Sequence, residues 1–344
     1  MTGRSQLLWF TAIHPLVDAC SFCVLIAGGM TVGRTLAYNA LAFALQMPLG
    51  VALDLSRPGL ARRGFYLGTG TVAVAAAATW IGLGGWGVLC VACIGNALFH
   101  LTAGKRLLES YEGRSGPMGL FISTGALGLL AGHIGMEKAA ATCIPLFAAA
   151  LVACVTLSRV VSDAAQDEGE RRYAAQDEGE RRYAAQDEEE RRYAAQDEGG
   201  RRCAAQDEGG VRCAAQIVGF AVLLGLFALI AWRSWAALEA TRLTMEAGLW
   251  FILCGALATW AGKAAGGYLA ERLGRWPVTV ASVCGSLALA FVCSPESFAV
   301  WMALLFTAQL ATGPVLSLVY DRTRRLGGGT AFGVNCLGLF AGSM

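Results

Sequence analysis

Charge is scarce in this chain. Of its 344 residues 15% are charged and 56% are hydrophobic, with a mean hydropathy of +0.52, whereas a water-soluble domain carries about 25% charged residues. An ordinary water-soluble fold is thereby excluded. Histidine is scarcer still, at 3 residues. No nucleotide-cradling G-x-x-x-x-G-K-[ST] loop occurs, because Gly104-Lys105 and Gly262-Lys263 are followed by Arg106 and Ala264, so a nucleotide-driven pump is excluded. No acid cluster, nucleophile arrangement or metal-ligand spacing accompanies them. The chain is therefore not read as an enzyme, and no metal, cofactor or nucleic acid is expected. The 12 cysteines do not change this. Cys20, Cys23, Cys90 and Cys93 lie in apolar runs, where a thiol packs as a small apolar side chain.

What the chain has instead is apolar length and 44 glycines, which let helix backbones approach closely in lipid. Runs able to cross about 30 Å of hydrocarbon fall near 7–30, 34–53, 65–84, 86–107, 116–135, 139–158, 216–232, 246–270, 277–295, 299–320 and 328–344. Despite Arg4 ahead of it, the first is long and is read as a retained helix, not a signal peptide. The connections alternate in charge. One side collects Arg57, Arg62, Arg63, Lys105, Arg106, Arg114, Arg272, Arg275, Arg322, Arg324 and Arg325; the other holds Arg34, Lys138, Arg233 and Arg242. By the positive-inside rule the amino terminus is cytoplasmic, and an odd number of spans puts the carboxyl terminus outside. The expected protein is an all-α, multi-pass protein of the cytoplasmic membrane.

Between the sixth and seventh spans lies a polar insert. From Ala164 it repeats AAQDEGERRY and close variants every ten residues. Asp167 with Arg171 and Glu168 with Arg172 stand at i and i+4, a spacing that supports a solvated helix. Tyrosines ten residues apart do not return to one helix face, so no apolar stripe forms. The insert is read as a charged cytoplasmic linker. The expected organisation is a six-helix bundle over 1–158, a linker over 159–215 and a five-helix bundle over 216–344.

The two bundles echo each other. PLGVALDLSRPGLARRG after the second span contains Gly50-x-x-x-Asp54, and GGYLAERLGRWPV contains Gly267-x-x-x-Glu271-Arg272-x-Gly274-Arg275. LGLLAG (127–132) answers LGLFAG (337–342). Internal repeats of this kind mark transporter architecture. At these residues the sequence resembles the major facilitator superfamily, whose G-x-x-x-D/E-R-x-G-R loop looks complete at 267–275 and degenerate at 50–63. In such a loop glycine lets two helices touch, while the acid can pair with arginine or cap a neighbouring helix end, a latch between helices that must separate and rejoin. Within the first 135 residues His14-x-x-x-Asp18, YNALAFALQMPLGVALD and NALFH resemble the fosmidomycin-resistance branch of drug exporters, although here Leu101 and Thr102 follow His100. The resemblance implies a two-bundle transporter of about 11 helices (6 + 5), with the superfamily's peripheral twelfth missing.

One stretch, HPLVDACSFC, sends polar groups into an apolar span. His14 and Asp18 share a helix face, and a mid-span carboxylate costs about 2.5–3.5 kcal/mol even on a lenient scale. That face must turn inward. Asn96 and His100 repeat the spacing in span four, Asn39 and Gln46 add polar atoms in span two, and Lys263, Gln309 and Asn335 are candidates from the second half. A carboxyl and an imidazole held together can exchange a proton with each side of the membrane in turn. Asp18 with His14 is expected to carry a coupling proton, and Asn39, Gln46, Asn96, His100, Lys263, Gln309 and Asn335 to bind substrate. The expected function is secondary transport of a small organic molecule by alternating access, with drug efflux implied by the resemblance and the monomer as the working unit. The alternative is a non-transporting homologue acting as sensor or scaffold.

Overall fold

The computed structural model describes residues 3–56, 59–187, 219–236, 248–292 and 297–344, with side chains of 161–187 left aside. Residues 2–156 and 223–344 form one compact unit; residues 157–222 belong to a second. Among the described residues every element is a helix. α1 is Gly3–Ala27, α2 is Val32–Asp54, α3 is Leu60–Trp80 and α4 is Trp86–Ser110. α5 is Ser115–Asp187, broken at Ala139 (φ −159, ψ 56) into two arms. In the second half α6 is Gly219–Ala236, α7 Leu249–Leu273, α8 Arg275–Val292, α9 Phe298–Thr323 and α10 Gly328–Gly342.

The eleven expected spans each find a helical segment here, counting the two arms of α5. Boundaries differ in physically sensible ways. The third span was placed at 65–84, but α3 begins at Leu60, so Arg62 and Arg63 sit on its first turns. Arg233, read as a loop cation after the seventh span, is instead buried on α6, which runs to Ala236. The insert continues as helix through the first two decapeptides to Asp187. Its remainder, with Cys203 and Cys213, lies outside the described residues, as do Arg57 and Arg242.

Small residues set how closely the helices approach. A Cβ on Gly68 of α3 would stand 2.6 Å from the Phe99 amide nitrogen of α4, and one on Gly266 of α7 would stand 1.9 Å from the Leu310 carbonyl oxygen of α9. α9 breaks at that point, residues 310–311 being turn, and Ser282 of α8 repairs the break by accepting from the Ala311 amide at 3.2 Å. α2 carries a π-helical turn at Ala40–Ala44. Such turns re-aim side chains inside a helix and often mark functional positions.

Backbone cannot yield as a flexible side chain can. Gly266→Ala is therefore expected to destabilise the protein by roughly 1–3 kcal/mol, while Gly70→Ala, with nothing within 4 Å of its Cβ, is expected to cost nothing. Thermal unfolding of the two variants in one detergent checks the contrast.

Candidate functional site

The inward-turned face of α1 is met by polar groups from α4 and α5. His14 Nε2 lies 3.2 Å from Asp18 Oδ2, and His100 Nε2 lies 3.4 Å from Asp18 Oδ1. Asn96 Nδ2 donates to Asp18 Oδ1 at 3.2 Å and reaches Ser21 Oγ at the same distance. His14 is 2% exposed, Asp18 8% and Asn96 2%. The space for them comes from α5. A Cβ on Gly125 would fall 2.5 Å from Asp18 Oδ2, and one on Gly128 would fall 2.4 Å from the Pro15 carbonyl oxygen. The glycine-rich fifth span is thus what lets α1 bring its polar face against α5. Phe99 and Phe121 pack on the His14 ring, with centroids 5.9 and 4.7 Å away.

The backbone fixes both rings. His14 Nδ1 lies 2.7 Å from the Phe121 carbonyl oxygen, and His100 Nδ1 lies 2.9 Å from that of Asn96. A carbonyl only accepts, so each Nδ1 carries a proton and donates it. The two Nε2 atoms then face each other at 2.7 Å. Two neutral rings in these tautomers would oppose lone pairs at that distance, and a single proton between them turns the repulsion into a hydrogen bond. The same three groups could hold a metal ion, their ligand atoms lying within 4.8 Å of one another. Two nitrogens on a tetrahedral metal with bonds of about 2.0–2.1 Å stand roughly 3.3 Å apart, wider than the distance found, so the arrangement fits a shared proton better.

The other candidate residues divide. Gln46, fully buried, donates to the Ala42 carbonyl at 2.6 Å and accepts from the Cys336 thiol at 3.2 Å, linking the halves. Asn39 reaches Ser343 Oγ at 3.3 Å, beyond the triad. Gln309 accepts from the Thr312 hydroxyl at 3.0 Å. Asn335 is buried with no partner for Oδ1. Lys263 is half-buried and its backbone carbonyl packs against Gly119. Ser21, Thr124 (3.4 Å from His14 Nδ1) and Arg233 were not anticipated. A serine one turn from a buried charge, as Ser21 is from Asp18, is too common a sequence feature to single out, and Thr124 reaches His14 from another helix, which spacing along one chain segment does not reveal.

The latch motifs meet helix ends in the opposite half. Asp54, at the end of α2, accepts from the Gly329 amide at 3.0 Å, the Thr330 amide at 2.6 Å and the Thr330 hydroxyl at 2.7 Å, and pairs with Lys105 at 2.6 Å. Glu271, near the end of α7, accepts from the Gly116 amide at 3.0 Å and from Arg114 Nε at 3.0 Å. Each acid therefore caps the first turn of the other half's fifth helix, α10 or α5, where free amides and the helix dipole favour negative charge. Gly50 and Gly267 make the approach feasible: a Cβ on Gly50 would lie 2.3 Å from the Gly329 carbonyl oxygen, and one on Gly267 would lie 2.6 Å from that of Ser115. Gly274 closes α7 at φ +91, and Arg275 pairs with Asp321. Arg272 stays outside this contact, stacked 4.6 Å over Tyr268. A cavity of about 650 Å³ lined by Asp54, Arg62, Lys105, Arg106 and Glu109 adjoins the Asp54 contact; neither Glu271 nor the triad lines it.

The structure is similar over 98% of the chain to a crystal structure of the major facilitator superfamily transporter FucP in the outward conformation, with a TM-score of 0.60, 12% identity and 89% of that chain covered. It is also similar to a variant of the E. coli fucose:proton symporter FucP, at a TM-score of 0.56 and 10% identity, over 98% of this chain and 87% of that one. No protein-family model and no curated protein matches the chain. The chain has the major facilitator fold. On that fold the latch lies at the arginine-rich end, and the triad lies deeper, within the first half.

Asp54→Ala leaves the Gly329 and Thr330 amides without their acceptor. A hydrogen bond to a charged group contributes about 1.5–3 kcal/mol, so exchange of the α10 first-turn amides is expected to speed up at least about tenfold by hydrogen–deuterium exchange. Glu271→Ala should do the same at Gly116.

Proposed function

We propose that this multi-pass membrane protein is a secondary transporter of the major facilitator superfamily, moving a small organic molecule across the cytoplasmic membrane by rocking its halves about a central site. The observation that carries the reading is the buried His14–Asp18–His100 cluster inside an apolar bundle whose halves are joined at one end by two capping acids. A carboxylate is kept at such depth at a cost, and intramembrane acids of this kind serve ion pathways. Asp18 carries the coupling proton, His14 takes it on and passes it, and His100 shares it. The similar structure of a fucose:proton symporter supports proton coupling. The basic end is the cytoplasmic one by its arginines, so the latched arrangement is closed to the cytoplasm. Release of Asp54 and Glu271 from α10 and α5 opens that end and exposes the site to the cytoplasm. The resemblance to fosmidomycin exporters favours efflux by a monomer.

Proteoliposomes loaded with a pH-sensitive dye test this with fosmidomycin, L-fucose and a set of small organic acids. Ligand-evoked proton flux is expected for the intact protein, with a loss of at least about a hundredfold in Asp18→Asn, which keeps size and removes the charge. Full proton-driven flux in that variant would rule out the coupling role. Absence of flux with every solute would count against transport itself.

A further inference from the structure

Two cations of the second half belong neither to the triad nor to the latch. Arg233 of α6 is 4% exposed, and its Nη1 has no hydrogen-bond partner. Among the described residues Lys263 of α7 makes no side-chain hydrogen bond or ion pair. Among the described residues four acids in or beside the spans are engaged elsewhere: Asp54 with Lys105, Glu271 with Arg114, Asp321 with Arg275, and Asp18 with the two histidines. Lys263 stands close enough to Arg233, and to Asp18 across the seam, for their charges to interact. Arg233 in turn stands near Cys336, whose thiol donates to Gln46 of the first half.

A buried guanidinium without an anion is costly, because the desolvation of the charge is not offset by a partner. Lys263, half-buried, stands near both Arg233 and Asp18, and Asp18 is already engaged by two histidines, which leaves an excess of positive charge at the seam. A mobile anion completes it. Beside Cys336, Asn335 is 2% exposed and its Oδ1 accepts from nothing, so the same place also lacks a donor. Both deficits are met by one molecule.

We propose that Arg233 and Lys263 form the anion-binding part of the central site, and that its ligand is a small organic oxyanion bearing a hydroxyl or N–H group for Asn335. Arg233 presents a planar fork suited to two oxygens of a carboxylate or phosphoryl group, and Lys263 supplies a second charge from the adjacent helix. The inference names the substrate class for the transport reading, but it concerns equilibrium binding and stands apart from flux.

The test uses the purified full chain in detergent and three solutes of matched length and different charge: gluconate, sorbitol and N-methylglucamine. Lactate with 1,2-propanediol, and glycerol 3-phosphate with glycerol, extend the series at constant ionic strength. At least one anion is expected to raise the unfolding temperature at millimolar concentration while its neutral and cationic counterparts do not. Arg233→Gln and Lys263→Gln should each weaken that anion at least about tenfold, and Arg233→Lys, which keeps the charge, should weaken it less. Equal shifts by a neutral counterpart, no shift by any of the anions, or an anion shift unchanged in both glutamine variants would overturn the proposal. Anion binding without proton flux in proteoliposomes would instead sink the transport reading alone.

Discussion

A carboxylate near the middle of a membrane span costs about 2.5–3.5 kcal/mol even by the lenient measure, and the first half of this protein is arranged to offset that cost at Asp18. Three helices contribute. α1 supplies His14 one turn away, α4 supplies Asn96 and His100 on one face, and α5 supplies glycines at 125 and 128 that let α1 come close. The backbone takes part too, since the Phe121 and Asn96 carbonyls dictate which nitrogen of each imidazole faces the carboxylate.

The latch solves a different problem with the same economy of means. Helix first turns expose amides with no intrahelical partner, and close packing against other helices would bury them unsatisfied. Asp54 and Glu271 satisfy those amides across the seam, on α10 and α5. The contact is strong because it joins a charge to a helix end, and reversible because water can serve both groups once they part. Among the described residues, charge left over on Arg233 and Lys263 has no counterpart of comparable quality.

Much of this was legible in the sequence, for identifiable reasons. Periodic apolar length marked the spans, and charge asymmetry marked which loops gather at one end. His14 with Asp18, and Asn96 with His100, could be assigned to helix faces because four residues is one turn. That these two faces meet could not be read, because spacing along one helix says nothing about its neighbour. The repeated G-x-x-x-D/E motif left open whether the acid pairs with arginine or caps a neighbouring helix end, and gave no sign that each acid crosses to the opposite half, since its partners lie 155 and 275 or more residues away in the chain. Arg233 was misplaced in a loop because an arginine at the end of an apolar run looks the same in sequence whether the helix stops before it or, as here, continues to Ala236.

The central claim is that one proton is shared between two imidazoles at Asp18. The chain has only 3 histidines, so nitrogen-15 labelling of histidine gives a spectrum in which His133, near the far end of its helix arm, is the sole other signal. Solid-state magnetic resonance of the labelled protein in bilayers measures the claim directly. The expected result is two rings protonated at Nδ1, with a nitrogen–nitrogen coupling between their Nε2 atoms through the shared proton, abolished in Asp18→Asn. Two independent histidines without that coupling, both in the Nε2-protonated form, would contradict it.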